Sequence, residues 1–193
     1  MAGAGTAVAK EPIQLPFNET KVTQAAALLL ALRGGRMHYL KLIKLLYIAD
    51  RTALQRWGVP ITMDRYVAMD HGPVVSRTFN LIQGFGASTW SQFISDPMGE
   101  HEVELRGDPG TSLLSAAEEK LLREVFQQWG HRSRWALVDE THQFAEWHDP
   151  HGSSTPITIV DILRAFGESD KSIAHQLAVL ANASAAQSRF AGH

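Results

Sequence analysis

The segment from Leu40 to Arg51 is spaced as a helix that is apolar over most of its circumference. Leu42, Leu45, Leu46, Ala49 and Ala53 fall on one face, and Leu40, Ile43, Tyr47 and Leu54 on the next. A helix with so little polar perimeter belongs at the centre of its domain. The spacing predicts a helix from about Met37 to Trp57, stopped by Gly58, with Lys41, Lys44, Ile48 and Arg51 as its only outward line. Asp50 stands on an apolar face of that helix. A carboxylate buried there needs a partner, and Tyr47, Arg51, His71 and His142 are the candidates.

The rest of the chain arranges itself around this spine. Asn18 is placed to cap a helix entering from Phe17, which can staple onto Val22, and Gly34-Gly35 ends that run. Arg65 to Met69 has strand character, and Gly72-Pro73 is expected to start the next helix, since proline suits the first helical position. Trp90, Phe93 and Ile94 suggest a short helical turn. His101 to Arg106 alternates as a half-exposed strand that could pair with Arg65–Met69. Ser115 opens a capping box, and Ser133 and Ser169 are placed to cap two later helices. Trp147 to Pro156 reads as a loop, and Ile159 to Phe166 as a short amphipathic helix. The expected fold is mainly α, about seven helices with one small antiparallel β element. It forms a single domain over 16–180, between a disordered tail at 1–15 and a fraying one at 181–193.

Charge narrows the function classes. Eighteen Lys and Arg against 20 Asp and Glu leave a net charge of −2, whereas nucleic-acid binders are usually basic. No helix-turn-helix with a basic recognition helix is evident, which counts against a transcriptional regulator. There is no cysteine, hence no disulfide, thiol nucleophile or Cys-ligated metal. No apolar run approaches the roughly 20 residues that span a bilayer, and Met1 to Ala9 lacks the basic and apolar regions of a secretory signal. A cytoplasmic protein is expected.

Motifs that could carry chemistry each have a plainer reading. His71-Gly72-Pro73, with Val74, could be a partner-contact corner, but the residue types also suit a tight turn. Lys41, Lys44 and Arg51 could dock an acidic surface or simply face solvent; Ile48 among them tilts the balance toward an interface. His142, His148, Asp149 and His151 lie within ten residues, which allows a metal-dependent hydrolase as an alternative. The His148 pair sits on a Pro/Gly loop without a His-Glu-x-x-His pattern, and His142 has the setting of a core histidine. No Gly-x-Ser-x-Gly elbow or phosphate-binding loop is present. No catalytic residue, metal or cofactor is expected.

Three motifs in order point further. Lys41-Leu-Ile-Lys-Leu-Leu-Tyr-Ile-Ala49, then Tyr66-Val-Ala-Met-Asp-His-Gly-Pro-Val74, then Thr141-His142 followed by Trp147, together resemble the Panacea domain of SocA-like antitoxins. The resemblance implies a non-enzymatic protein that binds and neutralises a cognate toxin, and in the SocA-like branch a proteolytic adaptor handing that toxin to the AAA+ protease ClpXP. On that reading, a mixed apolar and basic surface built from helix two and the Gly-Pro corner, namely Lys41, Lys44, Ile48, Arg51, His71, Gly72, Pro73 and Val74, is expected to contact the toxin. Tyr47, Asp50, Thr141, His142 and Trp147 are then expected to form a structural polar network.

Overall fold

A computed structural model describes residues 15–86 and 89–190. The expected N-terminal tail therefore lies outside the described residues up to residue 14. Leu15 itself is buried against Met63 and Leu180. The elements run α1 (Glu19–Leu32), β1 (Arg36–His38), α2 (Tyr39–Trp57), β2 (Tyr66–Met69), β3 (Gly72–Val75), α3 (Ser76–Ile82), α4 (Trp90–Phe93), β4 (Glu102–Glu104), α5 (Ala116–Trp129), α6 (Arg134–His142), β5 (Thr155–Ile157), α7 (Ile159–Ala165) and α8 (Asp170–Phe190). The chain is mainly α, with eight helices and two small antiparallel sheets among the described residues.

α2 is the centre. Every residue from Leu40 to Asp50 is buried, as are Ala53 and Leu54. α1, α5, α6, α7 and β3 all pack on it. Fully burying one leucine stabilises by about 1.5–3 kcal/mol, and this helix buries Leu42, Leu45 and Leu46 without residual exposure. The caps follow local sequence. Asn18 accepts from the Lys21 amide, Ser115 forms a reciprocal capping box with Glu118, Ser133 accepts from the Ala136 amide, and Gly58 closes α2 at φ 73°. α8 continues to Phe190, so the boundary expected near residue 180 falls inside a helix.

Four local expectations are corrected. α2 starts at Tyr39, because Arg36–His38 pairs with β4 and the His38 imidazole caps the helix, its Nδ1 accepting from the Leu40 amide at 3.1 Å. β4 does not pair with β2, since both edges of β2 are taken by β3 and β5. Gly72-Pro73 does not begin a helix. It begins β3, which pairs with β2 across the two-residue turn Asp70-His71. Proline's φ suits either fate, and the β-branched pair Val74-Val75 favours the strand. Finally, Thr155–Ile157 is an edge strand within the expected loop. Pro156 offers no N–H to a further strand, a common way of blunting an edge.

Candidate functional site

The three motifs converge where α2 meets the β2–β3 hairpin and α6. In a two-residue hairpin the pair flanking the turn exchanges hydrogen bonds and the next pair does not. Pro73 belongs to that next pair, opposite Ala68. Its missing N–H is therefore not needed by the ladder, and its carbonyl points to the free edge of the hairpin. There the Lys44 amine donates to it at 2.7 Å. Lys44 has no solvent exposure, and burial pulls its pKa down from 10.5 to about 7.

Gly72 makes this approach possible. Its φ of 88° lies in the left-handed region. A Cβ there would stand 2.7 Å from Thr141 Oγ1, 2.8 Å from Lys44 Nζ and 3.2 Å from His142 Cδ2. Lys44, Gly72, Thr141 and His142 thus meet at one point. His142 stacks on Trp147 with centroids 3.9 Å apart, and the Trp147 indole donates to the Met69 carbonyl at 3.1 Å. Burial, and then the Lys44 charge, lower the His142 pKa. Its Nε2 is buried without a hydrogen-bond partner.

Asp50 is buried on α2 as its spacing implied, but its partners lie elsewhere. It accepts from the Ile61 and Thr62 amides at 2.9 Å each, from the Thr62 hydroxyl, and from the Tyr66 hydroxyl at 3.0 Å. Desolvation raises its pKa to about 6 against the pull of these bonds. Asp64, just beyond, accepts from the Arg77 and Thr78 amides at 2.8 Å each and so caps the start of α3 from thirteen and fourteen residues away. Burial raises its pKa as well.

Tyr47 joins a different group. Its hydroxyl donates to Glu146 at 2.9 Å, while burial and then the Glu146 charge raise its pKa. Arg51 Nε reaches the same carboxylate at 2.7 Å, and its guanidinium lies between the Phe144 and Phe166 rings, 4.1 and 4.4 Å from their centroids. The Tyr47 and Tyr66 rings meet edge to face at 5.5 Å, linking the two groups. The expected network is therefore three neighbouring clusters, centred on Lys44, Asp50 and Glu146. Thr62, Asp64 and Glu146 were absent from the sequence reading, and Tyr66 entered it only as the first residue of a motif, without a role in this network. No periodic or spacing signal marks them, because their partners are remote in sequence.

The outward stripe on α2 is corrected. Lys41, Lys44 and Ile48 are buried and Arg51 is partly so. Lys41 donates to the Arg132 carbonyl at 2.7 Å, and burial and then Arg33 lower its pKa. Gly72, Pro73 and Val74 are buried too, and only His71 of the corner is exposed. His71 meets the ring of Trp135, the first-turn tryptophan of α6, edge to face at 5.6 Å. Trp135 is 51% exposed, and the Arg134 guanidinium lies 5.3 Å from its ring. The Asp70 carboxylate accepts from the Gly152 amide at 2.9 Å and ties the hairpin tip to the loop after α6.

His148, Asp149 and His151 lie exposed on that loop. Among the described residues, no three His, Asp or Glu side chains are grouped as metal ligands. Among them also, no helix is long and apolar enough to cross a membrane.

The fold and this site define a mainly α-helical domain with a buried polar spine and an aromatic, basic corner at its surface. Residues 42–148 match the antitoxin SocA-like, Panacea domain family, and the chain belongs to that family. No curated protein and no solved structure matches the chain. Membership of an antitoxin family implies a partner toxin and suggests a non-enzymatic role.

Proposed function

We propose that this protein neutralises a cognate protein toxin by direct binding, and that it does so through the corner formed by His71, Arg134 and Trp135. The observation that supports this surface is Trp135, half exposed inside the family-matching segment and flanked by an imidazole and a guanidinium. Tryptophan and arginine are the residue types that dominate binding energy at protein interfaces. The basic side chains suit an acidic patch on the toxin. In this reading Gly72, Pro73, Val74 and Lys44 lie buried behind His71 and Lys41 holds the Arg132 carbonyl, while Ile48 is buried and Arg51 is engaged by Glu146, so none of these is a toxin contact.

In the same reading the protein acts in the cytoplasm as an adaptor that delivers bound toxin to ClpXP. This step rests on family resemblance alone. Co-expression with the toxin encoded beside it tests both parts. Rescue of growth and co-purification are expected for the native chain, with both weakened in W135A and R134E. Rescue without co-purification would overturn direct binding. A toxin half-life that shortens only when ClpXP is present supports delivery, and an equal or longer half-life leaves sequestration.

A further inference from the structure

The tip of the β2–β3 hairpin carries His71 and is held to the rest of the protein around one imidazole. From α2, Lys44 donates to the Pro73 carbonyl at 2.7 Å. From α6, His142 stands beside that amine: a Cβ at Gly72 would lie 2.8 Å from Lys44 Nζ and 3.2 Å from His142 Cδ2. Trp147 stacks on the imidazole at 3.9 Å and donates to the Met69 carbonyl, on the other side of the turn, at 3.1 Å. His142 therefore sits among all of these attachments.

Its surroundings have no place for a second proton. Nε2 is buried and has no hydrogen-bond partner. A charged imidazole carries an N–H on both nitrogens, so protonation would leave a buried donor unmet beside the Lys44 amine. The groups that face the ring come from three directions: Lys44 from α2, His71 and the Asp70 backbone from the hairpin, and Asp139 from α6 itself. Burial, then Lys44, and more weakly His71 disfavour the charged ring; the Asp70 backbone and the Asp139 carboxylate favour it without cancelling them, and the pKa falls from 6.5. Among the described residues no carboxylate pairs with Lys44 to shield the two charges.

We propose that the hairpin tip is an acid-released latch, in which protonation of His142 drives the imidazole from its pocket, frees the tip from α2 and α6, and dismantles the His71–Trp135 corner. Once the tip is released, the ring meets water and regains its ordinary affinity for protons. The released form then binds more protons than the latched form as pH falls below 6.5, and release grows by up to about tenfold per pH unit. Lys44 adds no slope there, because below about 7 it is protonated in both forms. Asp50, with a pKa of about 6, holds Tyr66 at the opposite end of β2. Its folded form gains a proton on acidification, so its slope has the opposite sign.

Amide exchange of the full chain between pH 7 and pH 5, corrected for intrinsic exchange rates, reads release without toxin. The Gly72 and Val74 amides, in register with Met69 and Val67, are expected to open at least about fivefold more at pH 5 than at pH 6.5. The Leu45 amide in α2 is expected to stay unchanged. H142F keeps a ring against Trp147 but takes no proton, and it should lose the rise; H142Q, a second side chain that does not titrate, should lose it too. In the native chain the His142 ring resonances should titrate below pH 6.5, a measurement that needs no variant. A flat native profile, a ring midpoint at or above 6.5, or a rise that survives in both variants would overturn the latch. So would a Leu45 amide that opens in step with the hairpin, which is global acid unfolding. The consequence for toxin binding rests on the corner being the toxin contact. Release of the tip with no loss of toxin affinity would overturn that contact and leave the latch standing.

Discussion

The Lys44 amine donates to the Pro73 carbonyl at 2.7 Å from a position with no solvent exposure. One buried amine therefore satisfies the free edge of the β2–β3 hairpin and holds it against the central helix. Folding lowers the pKa of Lys44 from 10.5 to about 7. The unfolded chain keeps its proton over that interval while the folded chain gives it up. Stability from this group consequently rises as pH rises from about 7 toward 10.5, by at most about 1.4 kcal/mol per unit.

Replacing Lys44 with methionine removes this dependence. The stability difference between native and K44M protein is expected to move in favour of the native chain by about 2 kcal/mol between pH 7 and pH 9. Urea unfolding at both pH values measures it. A difference that stays constant would show that Lys44 titrates normally.

Gly72→Ala combines two penalties. Its φ of 88° disfavours any L side chain by about 1–2 kcal/mol. The new methyl would meet Thr141 Oγ1 and Lys44 Nζ at 2.7 and 2.8 Å, an overpacking of about 1–3 kcal/mol. Gly34→Ala is the control, with φ 94° but nothing within 4 Å of its Cβ. G72A should lose about 2–5 kcal/mol and G34A only the strain. Equal losses in denaturant unfolding would contradict the packing argument.

The Arg51–Glu146 pair is held at 2.7 Å, with Glu146 wholly buried and Arg51 19% exposed at its side chain. Removing one charge strands the other, and R51M is expected to lose about 3–5 kcal/mol. Replacing both, as R51M/E146L, should lose markedly less than the sum of the single variants. A double-mutant cycle by urea unfolding reads the coupling, and strict additivity would show that the two side chains do not depend on each other.

Trp135 separates binding from folding. Truncation of a tryptophan at the heart of an interface weakens association by about 2 kcal/mol or more, on the order of 30-fold. W135A should show this loss in toxin titration while its melting temperature stays within about 2 °C of the native value, as befits a half-exposed side chain. A folded W135A that binds toxin normally would move the contact elsewhere.

The helices and their caps were legible because their signals are local. Asn18, Ser115 and Ser133 each answer a backbone amide three residues on, and Gly58 ends α2 through its own φ. The strands were less legible. Whether Gly72-Pro73 opens a helix or a strand depends on whether β2 has a free edge to offer. Whether Glu102–Glu104 finds β2 or β1 depends on β5, which arrives some fifty residues later and takes the remaining edge of β2.

The polar residues divide in the same way. Spacing alone placed Asp50 on an apolar face and so predicted its burial. Its donors, at Ile61, Thr62 and Tyr66, come from the chain that returns over α2. The basic stripe failed for a related reason. Helical spacing says which residues share a face and is silent on what covers it, and here the hairpin and the α5–α6 turn lay carbonyls over Lys44 and Lys41.

By itself, the sequence determined a mainly helical domain centred on α2, the positions of its caps, and its family. Tertiary structure alone decided the strand partners, the division of the polar interior into three clusters, and the exposure of Trp135 in place of the lysines. The first set rests on backbone bonds and apolar spacing within a few residues. The second rests on hydrogen bonds and burial between residues far apart in the chain, which exist only once the elements have packed.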